Sequence, residues 1–515
     1  MQITRVLTDV VARKPGGIAT CCGSRRRTWT ELAARVARLA GAFRGLGIKP
    51  GDRVAIWALN SDRYLELYYA LPWAAAVVVP INTRLAPAEV RMILEDSQSE
   101  TLVVDDMSVP LLPATLGGLE TRLIYAGDGP LPAGTLSYEA LAESTPVADL
   151  GRSGEDLYGI FYTGGTTGRA KGVMLSHRNI MANMANAAQV FQRQDGVYLH
   201  AAPMFHLADL GATFQTTASG GTHASIPRFD PAETLRAIAE YRVTDTVLVP
   251  TMINMLLHFP DLDRYDRSSL KGVLYGASPM PPALMLRALE ALPGVEFMQG
   301  YGMTELSPLA TFLESQYHVV AGPLSGKLKS AGRAVGTAQV RVVDEQDRPV
   351  PTGTIGEIAV RGPNVMQGYW KQPELTAQAI RDGWMHTGDA GYMDEDGFLF
   401  IVDRVKDMIV SGGENVYSVE VEAAIYAHPA VAMCAVFGIP SERWGESVHA
   451  VVVRRPGGSV TELELLDFCH SRIAGYKCPR SVTFQDEPLP ISGAGKILKT
   501  DLRAPYWRGH TRRVN

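Results

Sequence analysis

Leu32, Val36, Leu39, Phe43 and Leu46 recur at steps of four, three, four and three, a spacing that gathers them on one face and predicts an amphipathic helix over 30–47, with Gly45 and Gly47 as stop signals. The run DRVAIWAL (52–59) has the length and apolar density of a buried strand. A helix-like segment leads from it to AAVVVPI (75–81), a second covers 86–96, and TLVVD (101–105) closes the series. Strand and helix alternate here, the signature of a parallel sheet wrapped by helices. The alternation returns at LYGIFYT (157–163), GVMLSH (172–177), a helical 178–191 and TDTVLVP (244–250), so two related α/β subdomains are expected.

After about residue 320 the texture changes. AVGTAQVRVVD (334–344), IGEIAVRG (355–362) and GFLFIVDR (397–404) are short strands between Gly and Pro, as in a small antiparallel barrel or sheet. From 408 a new unit begins, with a helix at 418–428, strands at 431–437 and 448–454, and a helix at 461–473. The predicted class is therefore α/β. A large N-terminal domain (1–403) holds two α/β subdomains and a small β-barrel, and a boundary at 404–407 precedes a small α+β C-terminal domain (408–515).

Composition narrows the function without naming it. With 515 residues, 46% of them hydrophobic and 20% charged, the chain can bury large cores, and disorder is excluded. A net charge of −5 provides no field for a polyanion, so nucleic acid is not an expected partner. Cys21, Cys22, Cys434, Cys469 and Cys478 form an odd set without a CxxC pair, which argues against a disulfide framework or structural zinc and for a reducing cytoplasm. The opening MQITRVLTDVVARK lacks the apolar centre of a secretory signal, and ALPWAAAVVVPI (70–81) is too short to span a bilayer. Peripheral membrane contact and a homodimer are left open. No repeat, GxSxG elbow, HExxH helix or GxGxxG fingerprint is present.

The richest segment is YTGGTTGRAKG (162–172). Gly164, Gly165 and Gly168 let successive backbone N–H groups converge on an anion, Thr163, Thr166 and Thr167 add hydroxyls, and Lys171 adds charge. This is a phosphate cradle, yet not the P-loop of kinases, since Lys171 lies between Ala170 and Gly172 rather than before a Ser or Thr.

That loop resembles the signature of the adenylate-forming superfamily, which includes acyl-CoA synthetases, aryl-CoA ligases, peptide-synthetase adenylation domains and firefly luciferase. Further segments resemble the family's motifs in the family's order: PMFHLAD (203–209), YGAS (275–278), QGYGMTE (299–305), HTGDAG (386–391), VDRVKDMIVSGGENVYSVEVE (402–422), RWGE (443–446) and LPISGAGKILK (489–499). The resemblance implies ATP, Mg²⁺ and coenzyme A as cofactors or co-substrates and a small-molecule carboxylic acid as partner.

By the same resemblance, Gln299, Gly300, Tyr301, Gly302 and Met303 lie along the nucleotide, with Tyr301 on the adenine and Gly276, Ala277 and Ser278 as the opposite wall. Thr304 faces the α-phosphate, and Glu305 supplies a hard oxygen ligand for Mg²⁺. Asp389 and Arg404 meet the ribose, and His206 gates the carboxylate pocket, which His206, Val249, Tyr275, Gly300 and Met303 make mostly apolar. Lys496 is the catalytic cation, placed where charge builds on the α-phosphoryl oxygens. Gly412 and Gly413 face the pantetheine arm of coenzyme A, Trp444 and Lys477 its nucleotide end, and Lys406 is the hinge of a mobile C-terminal domain.

Two departures stand out. Gly164 occupies the position of a usual serine, removing one hydroxyl donor to the pyrophosphate, and ISGAGK lacks the Thr or Ser often found before its glycine. The leading expectation is an AMP-forming carboxylate–CoA ligase acting on a fatty or aromatic acid. The alternatives are an adenylation enzyme that loads a carrier protein, disfavoured because Phe205-His206 stand where an ammonium-binding Asp is usual, and a non-catalytic sensor of acyl groups or nucleotides.

Overall fold

The computed structural model describes residues 2–163, 170–188, 193–278, 280–404, 407–411, 414–441, 443–492 and 495–508, with Arg404 by its backbone alone. The helix expected at 30–47 runs Trp29–Gly45. Thr28 and Glu31 form a reciprocal capping box at its start, and Leu32, Val36, Leu39 and Phe43 are fully buried. Strands Arg53–Trp57, Val77–Pro80 and Thr101–Val104 pair in parallel, with helices Asp62–Trp73 and Pro87–Ser97 as crossovers. The strand predicted through Pro250 stops at Leu248. Pro250 has no N–H for a ladder and instead opens the helix Pro250–Leu257.

The described residues form four sheets, and two of them correct the sequence-based partition. The strands Leu157–Thr163 and Lys171–Ser176, grouped above with the second α/β unit, belong to the eight-stranded sheet of the first: Gly159 pairs with Val78. A Cβ on Gly159 would lie 2.9 Å from the Val78 carbonyl oxygen, so glycine permits that approach. Conversely, the N-terminal hairpin Ile18–Cys22 and Arg25–Thr28 completes the edge of the nine-stranded sheet, Cys21 pairing with Ala224. Neither sheet is purely parallel, because Leu157–Thr163 runs antiparallel to Lys171–Ser176 and Glu296–Gly302 runs antiparallel to Leu309–Leu313.

A curled antiparallel sheet of five strands follows, built on the long strand Trp384–Met393, which pairs with Gly356–Arg361 on one side and with Ile380–Arg381 and Leu399–Arg404 on the other. The C-terminal small domain has its own five-stranded sheet, centred on Gly445–Arg454, and its own apolar core around Ile425, Cys434, Val452 and Leu465. Helices Ser418–Tyr426 and Glu462–His470 supply part of that core, ending a little short of the predicted limits. Among the described residues no helix is long and apolar enough to cross a membrane.

Candidate active site

Four neighbouring parallel strands of the nine-stranded sheet end on one side of the molecule: Val197–His200, Asp245–Leu248, Gly272–Gly276 and Glu296–Gly302. The segments leaving them carry His206, Val249–Thr251, Ala277–Ser278 and Met303–Glu305. In an α/β sheet the carboxyl ends of the strands are where ligands bind, since the loops there are free of the packing that fixes the strands. These segments line one cleft, which also takes in Thr163, Lys171, Asp389, Lys477 and Lys496.

Glu305 lies in a single turn of 3₁₀ helix, Thr304–Leu306, and is 6% exposed. Burial pushes its carboxyl above the ordinary range, while a hydrogen bond from the Tyr369 hydroxyl to Oε1 (2.8 Å) and the charges of Lys171 and Lys496 oppose that shift. Lys171 Nζ also stands 5.2 Å from the centre of the Tyr369 ring. One buried carboxylate could hold Mg²⁺ shared with phosphate oxygens, and the ammonium charges of Lys171 and Lys496 suit the phosphates themselves. Mg²⁺ takes few protein ligands when substrate phosphates complete its shell, and no cluster of three or more metal-ligating side chains exists among the described residues.

Tyr301 closes another side of the cleft, its hydroxyl donating to Asp389 Oδ2 at 2.8 Å across the junction between the nine-stranded and curled sheets. Asp389 pairs in register with Arg404, so the two residues expected at a ribose are cross-strand neighbours. Gly276 pairs with Gly300, and a Cβ at Gly276 would lie 2.2 Å from the Gly300 carbonyl oxygen. Glycine is therefore required at 276 by the sheet itself, whatever binds above it. Ala277 follows with φ +66°, a turn that aims the strand end into the cleft.

His206 caps the helix Leu207–Ser219, its Nδ1 accepting from the Ala208 N–H at 3.3 Å. Burial and the positive charge of Lys496 hold its imidazole down at about 4. Lys496 comes from the C-terminal domain, on a loop closed by Ser492 N–H to Lys496 O (2.7 Å) and Lys496 N–H to Ser492 Oγ (3.1 Å). Its charge thus acts on both His206 and Glu305, which are 99 residues apart in sequence.

Other expected residues are less central. Lys477 Nζ bonds both oxygens of Glu420 at 2.8 Å. Trp444 has the guanidinium groups of Arg443 and Arg480 each 4.6 Å from the centre of its ring, and is not among the described residues lining the cleft. Gly164, Gly165, Thr166, Thr167, Gly168, Lys406, Gly412 and Gly413 lie outside the described residues, as does the Arg404 side chain. Thr163 and Lys171, which flank the expected phosphate loop, pair with each other at the end of a hairpin.

Sequence reasoning missed Tyr369, whose link to Glu305 spans 64 residues and leaves no local trace. It also missed the deep wall of the cleft, where Ala208, Ala212 and Gln215 of the helix after His206 face Tyr198, Val247 and Leu274. Their i, i+4, i+7 spacing was the available signal.

The sequence pattern of the AMP-binding enzyme matches residues 7–370, and that of the AMP-binding enzyme C-terminal domain matches 420–496. The chain belongs to the AMP-binding enzyme family. Among its AMP-binding relatives, the feruloyl-CoA synthase of an Amycolatopsis species is 42% identical over 494 residues, 96% of each chain. The long-chain-fatty-acid–CoA ligase FadD13 of Mycobacterium tuberculosis is 36% identical over 493 residues, 93% of each. The crystal structure of ATP-bound MatB from Rhodopseudomonas palustris superimposes with a TM-score of 0.88 at 31% identity, covering 99% of this chain and 100% of that one.

Proposed function

We propose that the cleft carries out two half-reactions on one apolar carboxylic acid, with the residues above in defined roles. The chain is an ATP-dependent, AMP-forming carboxylate–CoA ligase. A carboxylate oxygen attacks the α-phosphorus of ATP and pyrophosphate leaves. The coenzyme A sulfur, as thiolate, then attacks the acyl carbonyl carbon and AMP departs, giving the thioester.

Lys496 neutralises charge on the carboxylate and the α-phosphoryl oxygens as the first bond forms. Thr304 donates to the α-phosphate. Glu305, ionised once a cation is present, would hold Mg²⁺ against ATP oxygens, and that ion supplies electrostatic stabilisation of the phosphates. Gly164, Gly165, Thr166, Thr167 and Gly168, with Thr163 and Lys171, cradle the leaving pyrophosphate. Tyr301 stacks on adenine and its hydroxyl orients Asp389, which with Arg404 takes the ribose hydroxyls. His206, neutral above pH about 4, gates the acid pocket instead of moving a proton. Gly412 and Gly413 line the pantetheine path, with Trp444 and Lys477 toward the coenzyme A nucleotide. Five free cysteines accord with work in a reducing cytoplasm.

The observation that carries this reading is the delivery of Lys496, from the C-terminal domain, into the cleft that Glu305 and His206 line. Lys496→Ala should lower acyl-AMP formation by roughly 10²–10³-fold, as for loss of a preorganised transition-state donor. Thioester formation from synthetic acyl-AMP and free coenzyme A should persist, and equal loss in both steps would remove Lys496 from catalysis. The walls Ala208, Ala212, Val247 and Leu274 favour apolar size. Across acetate, octanoate, benzoate, cinnamate and ferulate, AMP release should be weakest with acetate, each buried methylene contributing about 0.8 kcal/mol.

A further inference from the structure

The loop that carries Lys496 is held by the large domain at two backbone carbonyls. Thr251 Oγ1 donates to the Gly495 carbonyl oxygen at 2.9 Å, and Arg84 Nη1 donates to the Ser492 carbonyl oxygen at 2.8 Å. Both held carbonyls precede Lys496, Gly495 being its immediate neighbour. Both donors belong to elements remote from the C-terminal domain: Thr251 is the second residue of the helix Pro250–Leu257, and Arg84 lies just after the strand Val77–Pro80.

The fit between loop and domain is close. Gly495 has φ +77°, and a Cβ there would lie 2.5 Å from Val249 Cγ2 and 3.3 Å from Thr251 Oγ1. The backbone of residue 495 therefore rests directly on Val249 and Thr251, with no room for a side chain between. Thr251 follows the same strand end that delivers Val249 to the cleft, so the hydroxyl fixes the loop relative to the sheet that positions the nucleotide-binding residues. Gly495 N–H also donates to Ser492 O at 2.9 Å, so holding these two carbonyls orients Lys496, which follows them.

We propose that Thr251 and Arg84 are positioning residues for acyl-AMP formation: they seat the Lys496 loop on the large domain through the Gly495 and Ser492 carbonyls and touch no reacting atom. The proposal rests on the assignment of Lys496 to the first half-reaction. A lost hydrogen bond lowers the seated population by up to about tenfold, and the apparent rate of any step needing that population falls in proportion. Thr251, partly buried, should matter more than exposed Arg84.

The test uses the full chain and the preferred acid of the panel above, with acyl-AMP formation followed by ATP–pyrophosphate exchange and thioester formation followed from the synthetic adenylate and coenzyme A. Thr251→Val should lower exchange by about fivefold to tenfold and Arg84→Ala by about threefold, with thioester formation within about twofold of wild type. Thr251→Ser, which keeps the hydroxyl, should restore exchange. Unchanged exchange in Thr251→Val and Arg84→Ala, beside a large loss in Lys496→Ala, would overturn this inference alone. Parallel loss in both half-reactions, or no restoration by serine, would make Thr251 a folding residue and overturn it too. Full exchange activity in Lys496→Ala would overturn the parent assignment and this inference with it.

Discussion

His206 shows how an environment settles the role of one side chain. Its Nδ1 accepts from the Ala208 N–H, so the neutral ring carries its proton on Nε2, and burial with the nearby Lys496 charge keeps it neutral down to pH about 4. A general acid or base working at neutral pH would need a titration nearer the working range. His206→Phe should therefore leave the pH dependence of acyl-AMP formation between pH 6 and 9 unchanged while altering KM for the acid. Disappearance of a limb of the pH–rate profile near pH 6 to 7 in the variant would restore a proton-transfer role. Linkage has the same sign: the unfolded histidine takes up a proton below about 6.5 and the folded one below about 4, so acidification across that window costs stability at this site.

At the scale of elements, the two large sheets are joined by a closed circuit of alternating charge. Arg25 of the hairpin strand Arg25–Thr28 pairs with Asp62 (3.0 Å). Asp62 pairs with Arg27, Arg27 with Glu66 (3.6 Å), Glu66 with Arg35 (2.7 Å) and Arg35 with Glu139 (3.0 Å). Arg63 continues to Glu139 (2.7 Å) and to Asp128 (2.9 Å), which returns to Arg25 (2.8 Å). The hairpin belongs to the nine-stranded sheet, while the helix Asp62–Trp73 connects strands of the eight-stranded one. Burial pushes the Glu66 carboxyl up, while Arg35 and Arg27 oppose that shift, and the Tyr138 hydroxyl donates to Oε2 at 2.9 Å. Removing one partner of a buried pair strands the other, at a cost of about 3–5 kcal/mol. Glu66→Gln should lower unfolding free energy in urea by about 3 kcal/mol, and the loss should persist in about 1 M salt because the pair is shielded from solvent. A change below about 1 kcal/mol, or one erased by salt, would show that the circuit does not hold the sheets together.

For the whole molecule, the question is how one cleft serves two chemistries. Lys496 faces the cleft in this structure, and the C-terminal domain also carries Gly412 and Gly413, whose expected place is at the thiol. The last strand before the domain ends at Arg404 and its first strand begins at Ile409, so the connection is short and contains Lys406. Asp403 Oδ2 accepts from the Ser418 N–H at 2.6 Å, which ties the first helix of the small domain to the end of the curled sheet. A hinge at Lys406, as proposed, would change φ and ψ at one point, and proline there would fix φ near −65° and remove the N–H. We expect Lys406→Pro to keep acyl-AMP formation within about tenfold of wild type while thioester formation falls far more, measured by single turnover of each half-reaction. Parallel loss in both would take the hinge away from Lys406.

Local spacing was enough to place the helix at 30–47 and several strands, while the chemistry expected of the cleft came from the resemblance of the ordered motifs to a family. A helix is read from the 3.6-residue recurrence of Leu32, Val36, Leu39 and Phe43, because that period is local. Strand partnership was not legible, because a ladder joins segments far apart in sequence: Gly159 pairs with Val78, and Cys21 pairs with Ala224. For the same reason nothing local in the sequence foretold that Tyr369 would bond Glu305, that Gly276 is required by Gly300, or that Thr251 would grip Gly495. Local periodicity encodes which face of an element is apolar. Which surface it meets, and which distant side chain comes within hydrogen-bond distance there, is decided only when the sheets and the two domains pack.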